Sequence, residues 1–300
     1  MEKSWRNKKI PFSLEKIGAS GTVEVSRYLG IDFSGDYRQW TSCRRQSNIW
    51  VAEVRVAYKL VKLHDLRRVQ DLPGDESPFL RLAKLLGAQD FEAAGVDAPF
   101  SVPREYVPNG EHKKLLNLVA KIDTPENHPF PAAADFVRAV SGQPPPLDPP
   151  KPLRATEKYW KDRGLQVRST LWVRPRGGAA MTSACLSLLR KIDGPIWPWE
   201  HRGPKGLLVE AFPMAQLCHW GLPYQNYRDG HELALKNRET IIKGLQGRID
   251  LSNFQDILRG SADALDAVLC AFAAMAVIRG NLAVSPGPSA APEGWIAVYA

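Results

Sequence analysis

The sequence lacks a long apolar run. No stretch reaches the roughly 18 apolar residues of a membrane-spanning helix before a charge or a turn residue interrupts it. The N-terminal stretch MEKSWRNKK also has no apolar core of the kind that a secretory signal carries. Hydrophobic residues make up 44% of the 300, as in an ordinary soluble protein. These absences argue against membrane-spanning and secreted proteins, so we expect a cytoplasmic protein with no membrane partner.

Cysteine is scarce and scattered. The four cysteines, at positions 43, 185, 218 and 270, do not have the short spacings of metal ligands or of a redox pair. Cys270 also lies inside a strongly apolar stretch. The pattern therefore favours reduced thiols over disulfides or a zinc site.

Acidic residues are outnumbered by basic ones. The chain has 40 Lys and Arg against 32 Asp and Glu, a formal net charge of +8. A positive surface attracts phosphate backbones, so the balance favours a polyanionic partner such as nucleic acid. A solvated surface accounts equally well for the basic residues, because they are spread along the chain in small groups.

The chain divides into an arm and one large domain. Residues 1 to about 25 are polar and basic, with Gly and Ser, which predicts a loosely held arm. Residues 26–300 are interpreted as a single domain. The stretch at about 101–205 indicates a helical elaboration, and the Pro-rich residues 143–152 within it are a linker or a surface loop.

Two short strands are predicted to end in an acid. Residues 26–33 read as a strand that carries Asp32, and residues 91–100 contain a strand that ends in Asp97. Asp32 follows Gly30 and a β-branched residue, and Asp97 follows Gly95 and a β-branched residue. A turn-capping role explains either acid taken alone.

A third predicted strand carries a single acid. Residues 206–213 are apolar except for Glu210. A carboxylate in an apolar strand needs a partner, so we expect Glu210 to share a site with the other acids or to pair with Arg154 or Arg238.

The most apolar stretch of the chain, residues 262–277, predicts a buried helix with two acids. Asp263 and Asp266 are three residues apart, which places them on one face near the helix N-terminus. A simple interpretation is that Asp263 caps the helix, and that Asp266 interacts favourably with the positive N-terminal end of the helix dipole. Two buried carboxylates side by side repel each other, however, and require a cation or a polar cleft.

The acidic ends of these elements can converge if the strands neighbour one another in one sheet. Clustered carboxylates bind hard cations such as Mg²⁺ or Mn²⁺. Two such ions about 4 Å apart activate water and stabilise the leaving oxygen in phosphodiester hydrolysis.

The remaining elements complete an α/β pattern. Alternating residues at 48–58 and 60–69 predict an antiparallel meander after the first strand. Residues 294–299 predict a last short strand. Helices are predicted at 78–87, 111–122, 132–140, from 153, at 180–192 and within 224–245.

The order of the motifs resembles a family of predicted RNase H-like nucleases, long catalogued as a domain of unknown function. The motifs are GID at 30–32, GVDAP at 95–99, VEAFP at 209–213, DALDA at 263–267 and GWI at 294–296. Arg154 with Glu157 and Arg238 after Glu210 support the match, which runs from about residue 27 to the end.

The resemblance implies a fold and a site. The fold is a mixed five-stranded RNase H-like sheet flanked by helices. The paired acids on the last helix resemble the Holliday-junction resolvase branch, in which Mg²⁺ or Mn²⁺ is held by acids that match Asp32, Asp97, Asp263 and Asp266. Glu210 lies outside this pattern and is a further catalytic candidate. Candidate nucleic-acid-binding residues are Arg154, Arg238 and Lys236.

Two other functions remain open. The related sugar-kinase-like fold predicts a nucleotide-dependent phosphotransferase or ATPase, with Gly177-Gly178 and Ser34-Gly35 as candidate phosphate-binding turns. A nucleic-acid-binding protein without turnover is the third. The residues leave open DNA or RNA, endo- or exonuclease action, and the oligomeric state.

Overall fold

A five-stranded mixed sheet forms the centre of the protein. The computed structural model describes residues 25–43, 47–144, 152–174, 177–200, 205–287 and 290–300. The strand order is β3-β2-β1-β4-β5. β1, β4 and β5 run parallel, and β2 pairs antiparallel with β1 and β3. The strands are β1 (Val25–Asp32), β2 (Trp50–Ala57), β3 (Leu60–Arg68), β4 (Ala93–Val96) and β5 (Leu207–Glu210).

Helices cover both faces of the sheet. One face packs on α9 and α7, and the other packs on α1, α2, α3 and α5. The α-helices are α1 (Pro78–Gly87), α2 (His112–Val119), α3 (Ala133–Ser141), α4 (Ala155–Lys161), α5 (Ala179–Ile192), α6 (Pro213–His219), α7 (Glu232–Gln246), α8 (Gln255–Gly260), α9 (Ala262–Ile278) and α10 (Ala290–Glu293). The α/β class expected from the sequence, a mixed five-stranded sheet flanked by helices, is confirmed.

The helical segment between β4 and β5 contributes to the core. Its helices α2, α3 and α5 bury apolar side chains with α1 against Leu29, Ile31 and Val96 of the sheet. The segment at about 101–205 is therefore helical, as expected, and supplies one of the two layers on the sheet.

α9 lies unusually close to the sheet at two glycines. A Cβ atom at Gly30 would lie 2.0 Å from the Ala267 carbonyl oxygen, and one at Gly95 would lie 1.9 Å from the Cys270 carbonyl oxygen. Both distances are far below van der Waals contact, so a side chain at either position would displace the helix. The glycines on β1 and β4 therefore allow α9 to pack directly on the two strands.

Several expectations need comment. The prediction of a last strand at 294–299 is wrong. This segment makes only single bridges, Ala211 with Ala297 and Leu282 with Tyr299. It meets the chain just past the end of β5, so no ladder forms. Helices α6, α8 and α10 were not expected. The N-terminal arm, apart from Val25, and residues 145–151 of the Pro-rich stretch lie outside the described residues. All four cysteines are free, as expected.

Within the described ranges, no helix has both the length and the apolar character needed to cross a membrane.

Candidate functional site

Three acids from distant parts of the chain meet at one edge of the sheet. Asp32 ends β1, Asp97 directly follows β4, and Asp266 lies on α9. One carboxylate oxygen from each lies within 4.8 Å of the others. The expected convergence of these three residues is thus observed.

Strand register explains why the two strand acids are neighbours. β1 and β4 are parallel, and Ile31 pairs with Val96, so Asp32 and Asp97 each follow a paired residue. Side chains alternate between the faces of a strand. Asp32 and Asp97 therefore share the face of Gly30 and Gly95, which is the face that α9 covers.

Asp263 lies one turn before Asp266 but outside the group of three. It is not the helix cap, because Ser261 Oγ accepts the hydrogen bond from the Ala264 N–H at 3.1 Å. Its charge still reaches the cluster and is one cause of the raised pKa of Asp32. Asp263 thus adds a fourth negative charge near the three acids.

Burial and mutual repulsion make the cluster costly in its charged form. Burial, together with the charges of Asp263, Asp266 and Asp97, raises the pKa of Asp32 well above its ordinary value. Burial raises the pKa of Asp97 to about 7, although Arg228 opposes the shift. Burial likewise raises the pKa of Asp266 to about 6, against the effects of Arg228 and Tyr227. The site therefore favours any added positive charge.

A loop between α6 and α7 supplies the partners of Asp266. The buried Tyr227 donates its hydroxyl hydrogen to Asp266 Oδ1 at 2.8 Å. Arg228 Nη2 lies 2.7 Å from Asp266 Oδ2 and 3.8 Å from Asp97 Oδ2. Neither residue was predicted as part of the site, because a polar loop has no periodicity that places its side chains.

Arg238 holds this loop and does not bind nucleic acid as the sequence suggested. Its side chain is buried, with Arg238 only 3% exposed. The guanidinium donates to the backbone carbonyls of Arg259 at 2.7 Å, Asp229 at 3.0 Å and Tyr227. The expectation of a nucleic-acid contact is wrong, since these bonds fix Arg238 beneath the loop that carries Tyr227 and Arg228.

Glu210 lies on the opposite face of the sheet from the three acids. It pairs with Val96 in register, and Val96 faces the layer formed by α5. Its two oxygens accept hydrogen bonds from Arg154, at 2.5 and 2.8 Å, and one also accepts from the Phe100 N–H at 3.0 Å. The expected pairing of Glu210 with Arg154 is therefore observed.

Arg154 is the second candidate nucleic-acid-binding residue that the structure contradicts. It is 1% exposed, and its donors are engaged by Glu210, Glu157 and the Glu293 carbonyl oxygen. With these donors engaged inside the protein, Arg154 is not placed to bind a strand at the protein surface. Lys236, in contrast, is exposed on α7, where it pairs with Glu232 at 2.7 Å.

The donor set fits a hard divalent cation. The fully buried Asp266 Oδ2 has no hydrogen bond in the described part of the chain, since its 2.7 Å ion pair with Arg228 lacks hydrogen-bond geometry. A buried carboxylate oxygen beside two further carboxylates is a suitable ligand for Mg²⁺ or Mn²⁺. Asp32, Asp97 and Asp266 are the residues that would hold such an ion.

Comparison with known proteins identifies a family. A model described as "Protein of unknown function (DUF429)" matches residues 50–291. The chain belongs to this family. No curated protein and no solved structure matches the chain. The part of this DUF429 protein that matches the family model contains Asp97, Asp263 and Asp266, whereas Asp32 precedes it.

A cavity of about 320 Å³ adjoins the acid cluster of this DUF429 protein. Asp97 and Arg228 lie on its wall together with Arg154 and Glu210, so it reaches from the cluster to the other face of the sheet. The cluster therefore lies beside a space large enough for part of a substrate.

Proposed function

We propose that this DUF429 protein hydrolyses phosphodiester bonds in nucleic acid with Mg²⁺ or Mn²⁺ bound by Asp32, Asp97 and Asp266. The observation that carries the proposal is the meeting of three carboxylates, from the ends of β1 and β4 and from α9, within 4.8 Å of one another at a site where Asp266 is fully buried.

The physical argument starts from the energy of the cluster. A buried, unpaired carboxylate costs several kcal/mol, and three together repel one another. Arg228 is the cation paired with Asp266, and it cannot balance all three charges. A divalent ion would offset the remainder and would supply Lewis-acid activation of a phosphate and of the attacking water.

The protein's own residues have distinct roles in this proposal. Asp32 and Asp97 present oxygens from rigid strand ends, and Tyr227 orients Asp266 through its hydrogen bond. Arg228, whose side chain is 49% exposed, faces both the acids and solvent. It is therefore placed to pair with a phosphate that arrives at the site.

The positions of the acids support the resemblance to RNase H-like nucleases. The resemblance places metal-binding acids on the first strand, just after the fourth, and twice on the last helix. Asp32, Asp97, Asp263 and Asp266 occupy those places, with α9 as the last long helix. The net charge of +8 supports nucleic acid as the partner and a cytoplasmic nuclease remains the expectation.

One of the two glycine turns offered for the phosphotransferase alternative has a packing explanation. A Cβ atom at Gly177 would lie 2.0 Å from the Trp172 carbonyl oxygen, and one at Gly178 would lie 2.4 Å from that of Ser169. Close backbone packing therefore accounts for both glycines without a bound phosphate.

A cleavage assay tests the proposal. Purified protein is incubated with single-stranded and duplex DNA and RNA in Mn²⁺ or Mg²⁺, with and without ATP. Asp32→Asn keeps the side-chain shape but removes a charged ligand. Changes to residues that only support metal ligands lower activity by up to about 100-fold, so loss of a ligand itself should lower cleavage by more than that. Asp123→Asn, at an exposed loop acid, is the matched control and should cleave like the wild type.

Three outcomes would contradict the proposal: cleavage by Asp32→Asn at the wild-type rate, full activity in excess EDTA, or a strict requirement for ATP. The first two would show that cleavage does not depend on a metal ion held by these acids, and the third would favour the phosphotransferase.

A further inference from the structure

The cavity beside Asp97 has a closed polar floor and apolar walls. The floor is the buried pair of Arg154 and Glu210, whose hydrogen bonds are already made within the protein. The walls include Met181 of α5, Phe212 just after β5, and Met214 of α6, all partly buried. The cavity thus offers an aromatic ring and two thioethers to a ligand, and no free charge at its base.

The mouth of the cavity is polar and adjoins the carboxylates. Gln166 and Arg168 are exposed at the mouth, and Asp97 and Arg228 belong both to the cavity wall and to the acid cluster. A ligand that fills the cavity therefore lies next to the acid cluster where Asp97 and Arg228 line the wall.

We propose that this cavity binds one nucleoside unit of the substrate, with its base against Phe212 and the methionines, while the attached phosphate lies at Asp97 and Arg228. The inference rests on the proposed phosphodiesterase function and adds the class of substrate to it.

Size and chemistry support this occupant. A volume of about 320 Å³ is at the lower end of the range for small-ligand pockets, which suits a single nucleoside. Nucleobases stack on aromatic rings, and methionine sulfur makes favourable contacts with aromatic rings. The side-chain amide of Gln166 at the mouth can both donate to and accept from a base edge.

The occupant defines the form of the nucleic acid. A paired and stacked base cannot enter a cavity, so the nucleotide next to the scissile phosphate must be unpaired, at a strand end, in a single strand or flipped out. The expected substrate is therefore nucleic acid with an unpaired nucleotide at the cleavage position.

Direct binding of small ligands tests the inference. Binding of adenosine 5′-monophosphate and of its deoxy form to the full chain is measured by calorimetry in Mg²⁺, with ribose 5-phosphate as the probe without a base. We expect both nucleotides to bind at least roughly 10-fold more tightly than ribose 5-phosphate, which cannot stack.

Two cavity variants and one control locate the binding. Met181→Trp fills the cavity, and Phe212→Ala removes the ring, so each should weaken nucleotide binding by roughly 10-fold without changing ribose 5-phosphate binding. Leu80→Trp adds the same indole at an exposed position of α1 and should bind like the wild type. Circular dichroism checks that each variant is folded. If Met181→Trp does not fold, Phe212→Ala alone tests the cavity.

The outcomes separate this inference from the proposed function, because binding does not require turnover. Nucleotide binding that depends on Met181 or Phe212 supports the nucleoside site even if the wild type cleaves nothing. Equal binding of nucleotide and ribose 5-phosphate, or nucleotide affinity unchanged in a folded Phe212→Ala, overturns the inference even if the protein is a nuclease.

Discussion

Arg228 lies 2.7 Å from the buried carboxylate of Asp266, although its own side chain is 49% exposed. The guanidinium reaches in from a loop that the bonds of Arg238 hold in place. It therefore occupies the side of the acid cluster that faces solvent, where a metal ion and a phosphate would also approach. A positive charge here repels an incoming cation and attracts an incoming anion.

The first prediction follows from this double role. Arg228→Ala removes the competing charge, so Mn²⁺ should bind more tightly by roughly 10-fold, the effect of about 1.4 kcal/mol. Cleavage should fall by roughly 100-fold, as when a preorganised donor to a reacting group is lost. Calorimetry with Mn²⁺ and the cleavage assay measure the two effects.

The control for Arg228→Ala is Arg138→Ala, at an exposed arginine of α3 that pairs with Asp135. It should change neither Mn²⁺ affinity nor cleavage. Weaker Mn²⁺ binding by Arg228→Ala would show that Arg228 stabilises the ligand set instead of competing with the ion.

A second prediction concerns the buried pair behind the cavity. Arg154→Met leaves Glu210 and Glu157 buried without their cation, so the free energy of unfolding should fall by about 3–5 kcal/mol. Urea unfolding measures the loss. Arg138→Met, whose ion pair is exposed on both sides, should lose at most about 1 kcal/mol. A wild-type stability for Arg154→Met together with weakened nucleic-acid binding would restore the role first expected for Arg154.

A third prediction concerns the contact between α9 and the sheet. Gly95→Ala places a Cβ atom 1.9 Å from the Cys270 carbonyl oxygen, so α9 must move. Overpacking of this kind costs about 1–3 kcal/mol, and here the obstacle is backbone, which favours the upper end. Since Asp266 moves with α9, Mn²⁺ affinity should fall as well.

The matched change for Gly95→Ala is Gly87→Ala at the end of α1. A Cβ atom there has no neighbour within 4 Å, so stability should stay unchanged or rise slightly. Urea unfolding and Mn²⁺ calorimetry compare the two variants, and an equal, small effect in both would argue against the tight packing of α9.

A fourth prediction is a pH dependence of stability centred on His112. The ring stacks on Trp199 with 3.6 Å between ring centroids, and Nε2 lies 2.6 Å from the Phe100 carbonyl oxygen, to which it donates in the neutral form. Burial lowers the pKa of His112 to about 4. The unfolded chain takes up this proton near pH 6.5 and the folded chain does not, so the contribution to stability is present above pH 6.5 and is lost as the pH falls towards 4.

His112→Gln tests this pH dependence because the amide can still donate to Phe100 but does not titrate. Between pH 7.5 and pH 4, the wild type should lose roughly 3 kcal/mol more than the variant, at 1.36 kcal/mol for each unit between the two pKa values. Denaturant unfolding across this range measures the difference. Parallel curves for the two proteins would show that the ring is protonated in the folded state.

Much of the fold could be predicted because local patterns specify it. The meander follows from alternating residues, and α9 follows from an uninterrupted apolar run. The helix α6 was missed because it is short and begins at Pro213, within the apolar stretch 206–213 that was read as a strand. The closing segment was read as a strand from its composition, but its pairing depends on where β5 ends, which is a tertiary relationship.

The sequence by itself determined which acids end strands and lie on the apolar helix, since turn residues and periodicity mark those positions. Only the tertiary structure decided which acids share a site. Val96 and Glu210 are register partners on one face, so Asp97, one residue further, turns to α9 while Glu210 turns to Arg154. Pairing between strands distant in sequence decides which face of the sheet each acid points to, and no local pattern encodes that register. The same reason applies to Arg228, which reaches the cluster from a loop that long-range hydrogen bonds hold in place.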